Sequence, residues 1–133
     1  MGTPADLRHP PAANTATSLQ SFVKSVGQVV DLLDLREGWN SHSAKPVEPR
    51  NAVRAVELLF QLRETGALPP VVVPTVRGGI QLEWHANGVD IEVYVNSPDD
   101  VTFFAEHLES GDTVEKSVDA GANELKSWVR RVS

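Results

Sequence analysis

The chain has 133 residues, 41% of them apolar and 23% charged, with a net charge of −6 and no cysteine. This length and composition specify one globular domain that buries roughly two thirds of its unfolded surface. The charge balance disfavours generic binding to nucleic acid or anionic membrane, and the missing cysteines exclude disulfides, zinc–thiolate sites and thiol nucleophiles.

Residues 1–16 contain three prolines, several small residues and almost nothing to bury. They read as a mobile, disordered arm ahead of a single domain over 17–133. The N-terminus lacks the basic-then-apolar order of a secretory signal, and no apolar run reaches the roughly 18 residues of a membrane span. A cytoplasmic location is therefore expected. Thr17 or Ser18 is placed to cap a helix. Beyond it Leu19, Phe22, Val23, Val26, Val29, Val30 and Leu33 recur at three- and four-residue spacing. This predicts an amphipathic helix to about Leu35, weakened at Gly27 and stopped by Gly38.

A polar connector, "GWNSHSAKPVEP", leads to Pro49, whose missing N–H costs nothing in the first turn of a helix. The second helix presents Ala52, Val53, Val56, Leu59 and Phe60 as its buried stripe, and Gly66 terminates it. "VVVPTV" predicts a short strand that Pro74 confines to an edge or a bulge. "GIQLEW" alternates with Ile80, Leu82 and Trp84 on one face. Ala86-Asn87-Gly88 supplies a tight reversal. "VDIEVYV" alternates again with Val89, Ile91, Val93 and Val95 inward. "VTFFAEH" is the final predicted strand, and "LESGDTVEKSVDAG" reads as loop. "ANELKSWVRRV" predicts a short helix, capped by Asp119 or Asn123, with Leu125, Trp128, Val129 and Val132 as its apolar side. The fold class is α+β: two N-terminal helices packed on an antiparallel meander of three or four strands, then a short C-terminal helix. No glycine-rich phosphate loop follows a strand.

Two segments carry chemically interesting side chains. In the hairpin, the face opposite the apolar residues holds Gln81, Glu83 and His85 on one strand and Asp90, Glu92 and Tyr94 on the next. Carboxylates held together can raise a pKa, a neighbouring histidine can act as a base, and Glu83, His85 and Glu92 form a donor set for a divalent cation. Alternation also puts polar residues in water for no chemical reason, and that solvated-face reading is the stronger one. In the connector, Trp39, Asn40, Ser41, His42 and Ser43 form a polar loop. Adjacent Ser and His residues seldom face each other usefully, no third member of a triad is identifiable, and no nucleophile-elbow pattern is present. Trp39 is expected to anchor the loop under the sheet. His9 and His107 have no ligand-spaced companion.

Gly38-Trp39, the polar loop closed by Pro46, Pro70 to Thr75 in the pattern P-x-V-x-P-T, Gly78-Gly79, Leu82-Glu83-Trp84 and Asp90 to Val93 together resemble a family of small bacterial proteins of unassigned activity, over roughly residues 35–95. The resemblance implies a protein of the kind met in short accessory or mobile operons. It supplies no catalytic residue to carry over.

The reading favoured by the sequence is a non-catalytic protein-interaction module with no cofactor and no catalytic or metal-ligating residue assigned. Its expected surface is Trp39, Asn40, His42, Glu83, His85, Asp90, Glu92 and Tyr94. Its expected partner is another protein, encoded in the same operon, or a second copy joined through a sheet edge. An antitoxin, immunity or defence-accessory role fits this size and acidity. Two alternatives stand beside it. One is a small metal-dependent or acid–base hydrolase using Glu83, His85 and Glu92 with His42, which requires a concave pocket where they converge. The other is an acidic mimic of nucleic acid.

Overall fold

The computed structural model describes residues 10–133, with side chains from residue 19 onward. Helix α1 spans Pro10–Leu32 and α2 spans Pro49–Leu62, followed by a 3₁₀ turn at Arg63–Thr65. Strands β1 (Val71–Pro74), β2 (Ile80–Ala86), β3 (Val89–Ser97), β4 (Asp100–His107) and β5 (Thr113–Ser117) precede α3 (Val118–Arg130). The strands form one antiparallel sheet in the order β1-β2-β3-β4-β5. The architecture is α+β with helices on both chain sides of the sheet, as the segregated sequence patterns predict. The expected arm falls partly outside the described residues, as does His9. The helix is already formed at Pro10, ahead of the cap expected at Thr17 or Ser18.

The sheet has five strands rather than three or four. The extra one is β5, "TVEKS", which lies in the segment read as loop. It pairs Val114 with Ala105 and Glu115 with Phe104 at the edge of the sheet. An edge strand capped by a helix needs few inward apolar residues, so its alternation is too weak to show against a polar background. The following helix is capped two residues ahead of Asp119, the nearer of the expected caps: Ser117 Oγ accepts from the Asp119 backbone N–H at 3.2 Å.

The hairpin is as the alternation requires. Asn87 (φ 55°) and Gly88 (φ 76°) make a two-residue reversal, with Ala86 paired to Val89 and Leu82 to Val93. Ile80, Leu82, Trp84, Ile91, Val93, Val95, Phe103 and Ala105 are buried on one sheet face. Against them pack Ala52, Ala55, Leu58, Leu59 and Leu62 from α2, Leu125 and Val129 from α3, and Val29 from α1. Each large side chain buried in this way contributes about 1.5–3 kcal/mol by leaving water. Among the described residues no helix covers the opposite sheet face.

The connector between α1 and α2 is fastened to the β1–β2 loop. The Lys45 backbone N–H donates to Val76 O at 2.9 Å and that of Glu48 to Gly78 O at 2.9 Å. Asn51, buried on α2, donates its Nδ2 to the same Gly78 carbonyl at 3.0 Å and to Asn96 O at 3.4 Å. No side chain fits where these segments meet: a Cβ on Gly79 would stand 2.5 Å from Val95 O, and one on Gly78 2.9 Å from Pro46 O. Four of the residues that carry the family-like pattern, Gly38, Pro46, Gly78 and Gly79, thus belong to the connector and this junction.

Candidate functional site

The register of β2 and β3 sets Gln81 opposite Tyr94, Glu83 opposite Glu92 and His85 opposite Asp90 on the open sheet face. The sequence therefore brought together the right hairpin residues. His85 Nδ1 lies 2.8 Å from Asp90 Oδ1, and its Nε2 lies 2.9 Å from Glu83 Oε1. Both partners accept, so the ring satisfies both by carrying two protons. Hydrogen bonds to Glu83 and then Asp90 raise the His85 pKa above its ordinary value of 6.5, against a smaller opposing effect of burial. Gln81 Nε2 donates to Glu83 Oε2 at 2.7 Å, and the Tyr94 hydroxyl donates to Glu92 Oε1. Burial first, then the Glu92 bond and neighbouring carboxylates, push the Tyr94 pKa up to about 12, which makes it a neutral donor rather than a base.

Glu83, His85 and Glu92 each offer one ligand atom, and these lie within 4.8 Å of one another. One imidazole nitrogen and two carboxylate oxygens suit zinc or manganese better than calcium. A cation would have to displace the His85–Glu83 hydrogen bond and the proton on Nε2. Clefts are found elsewhere among the described residues. One, lined by Phe22, Ser25, Leu59 and Trp84, is about the size of a water molecule. A polar hollow by Thr75, Arg77, Asn96 and Asp100 flanks the β1–β2 loop.

The second predicted segment is closed on itself. Asn40 Oδ1 accepts from the backbone N–H groups of His42 (2.9 Å) and Ala44 (3.2 Å). The Trp39 indole N–H donates to Lys45 O at 2.8 Å, which holds the half-buried ring within the connector. Ser41, His42 and Ser43 are exposed. The loop is tied to the Ile80 end of β2, and His85 lies five residues along that strand, roughly 16 Å away. The structure thus does not bring His42 to the acidic cluster.

A third surface went unread in the sequence. Val23, Val30, Val53 and Phe60, expected to be buried, are 60%, 52%, 60% and 51% exposed. Val30, Val53 and Phe60, with Val26, Leu33 and Val56, flank an open groove between α1 and α2. Phe60 meets Phe22 edge to face with ring centres 5.8 Å apart, and the Arg63 guanidinium stacks over it at 4.1 Å. The signal was present. Apolar residues at 19, 22, 23, 26, 29, 30 and 33 cover a wider arc of α1 than one buried stripe needs.

No family model, curated protein or solved structure matches the chain. Function must be argued from the surfaces themselves. Among the described residues no helix is long and apolar enough to cross a membrane.

Proposed function

We propose that this protein is a non-catalytic protein-interaction module and that it docks through the outer face of the α1–α2 pair. The observation that carries the reading is the exposed apolar face of Val23, Val30, Leu33, Val53 and Phe60. Contiguous apolar surface rimmed by polar residues is costly to leave in water and marks association sites. This moves the docking surface away from the acidic residues favoured by the sequence. The bacterial, operon-borne setting implied by the resemblance makes an antitoxin, immunity or defence-accessory role the fitting biological frame.

The test compares tagged wild-type chain with Val53→Asp, a change at a solvent-facing position that leaves circular dichroism unaltered. Loss of a stoichiometric associate, whether another protein or an untagged copy, supports the reading. Identical associates for both forms, or none for either, overturn it.

A second reading rests on the convergence of Glu83, His85 and Glu92. It makes the open sheet face a divalent-cation site, the first requirement of a metal-dependent hydrolase. Calorimetric titration with zinc or manganese supports it if heat is released by the wild type and not by Glu83→Gln or Glu92→Gln.

A further inference from the structure

We infer that the occupant of the α1–α2 face is a second copy of this chain, with the two α1 helices packed antiparallel about a two-fold axis near Gly27. The inference rests on the interaction-module reading and specifies its partner. Its first support is the spacing of the bare residues. Phe22, Ser25, Val29 and Leu32 turn α1 toward the rest of the protein, with Ser25 and Val29 fully buried. Leu19, Val23, Val26, Val30 and Leu33 form a separate outward stripe, stepping by four, three, four and three residues. On α2, Val53, Val56 and Phe60 step by three and four. This spacing keeps all five side chains on one face of α1. A stripe that packs along another helix at a shallow angle requires it. Two copies joined in this way place four helices around one apolar seam, and a two-fold interface presents the same patch from each side.

The second support is charge. The polar flank of the outward stripe carries Lys24 on the N-terminal side of Gly27 and Asp31 and Asp34 on the C-terminal side. An antiparallel pair centred near Gly27 sets Lys24 beside Asp31 and Asp34 of the partner subunit, twice over. A parallel pair would set lysine against lysine and aspartate against aspartate. The third support is Gly27 itself. Glycine is disfavoured in an exposed helix interior, and a Cβ there would meet nothing within 4 Å in this chain. Nothing among the described residues needs the position to be glycine, whereas a helix crossing at that point does, because it brings two backbones together.

Sedimentation of the purified full chain tests this. The expected mass is twice the chain's 14.5 kDa. Gly27→Gln should weaken the dimer by at least about tenfold while leaving or raising helical circular dichroism, since the added side chain meets only open space within one copy. Lys24→Glu should weaken it by about fivefold, and Lys24→Glu with Asp31→Lys should restore it, which only antiparallel pairing predicts. A dimer indifferent to both Gly27→Gln and the charge reversal overturns the inference. So does a chain that stays monomeric at about 100 µM. In the monomeric case the interaction reading stands separately if Val53→Asp still costs the chain a different protein partner, and falls if it does not.

Discussion

Asn51 is the side chain on which the junction of connector, β1–β2 loop and α2 most depends. Its Nδ2 donates to Gly78 O at 3.0 Å and to Asn96 O at 3.4 Å from a fully buried position. Replacing it with alanine deletes one good buried hydrogen bond and one long one. Gly78 O retains the Glu48 backbone N–H at 2.9 Å, so only the Asn96 carbonyl loses a donor. Part of the loss is recovered, because Asn51 Oδ1 is itself buried without a partner among the described residues. With about 1–1.5 kcal/mol for the bond and about 1 kcal/mol for the exposed acceptor and small void, Asn51→Ala should cost at most about 2–2.5 kcal/mol. For a domain of this size that lowers the thermal midpoint by up to about 10 °C. Asn51→Asp has the same shape but turns a carboxylate toward two carbonyl oxygens. Burial and those acceptors raise its pKa above that of the unfolded chain, so the variant is least impaired below about pH 4, where it is protonated in both states. It loses stability progressively as pH rises through the folded value. Urea unfolding at several pH values measures both effects. An Asn51→Ala midpoint within about 0.5 kcal/mol of wild type, or an Asn51→Asp deficit independent of pH, would refute the reasoning.

Gly79→Ala should fail to fold or should lose at least about 3 kcal/mol, because the new Cβ meets the Val95 carbonyl, which a paired strand holds in place; soluble yield and thermal midpoint report it. The chain's single tyrosine should resist ionisation until about pH 12 while folded, as followed by phenolate absorbance. Glu92→Gln should lower that value by removing the charged acceptor. Proton NMR should place the His85 pKa above 6.5. Because folding raises it, its contribution is full below the unfolded value and fades as pH rises through the folded one. The stability gap between wild type and His85→Gln should therefore shrink as pH rises past the ordinary histidine value of 6.5 and through the raised folded one, and at 44% exposure the gap stays within about 1 kcal/mol.

The hairpin was the most legible part of the chain. Strict alternation from Ile80 to Val95 and the Asn87-Gly88 pair fix which side chains face the helices, and with them the company of Glu83, His85, Asp90 and Glu92. Edge placement of the strand containing Pro74 followed from its missing donor. Two features escaped. Strand β5 has one inward valine and a lysine stem in place of a period-two run, so its pairing comes from the neighbouring strand rather than its own pattern. The exposure of Val23, Val53 and Phe60 escaped because local spacing tells which residues share a helix face, not whether the fold has enough partners to cover two faces. The Trp39 loop was misleading for a related reason. Polar residues that bond their own backbone look the same in sequence as polar residues awaiting a ligand.

Every strand of the sheet is bonded to the one that follows it in the chain, which has a kinetic consequence. Each pairing step closes a short loop, and two of them close with only two residues, at Pro98-Asp99 and at the Asn87-Gly88 reversal. The sheet can therefore zip outward from that reversal without first bringing distant segments together, which places the domain among the faster-folding sheet proteins. Rapid closure shortens the time for which the apolar strand faces stand open to neighbouring chains, so the apolar surface that stays in water after folding is complete is the one its helices present.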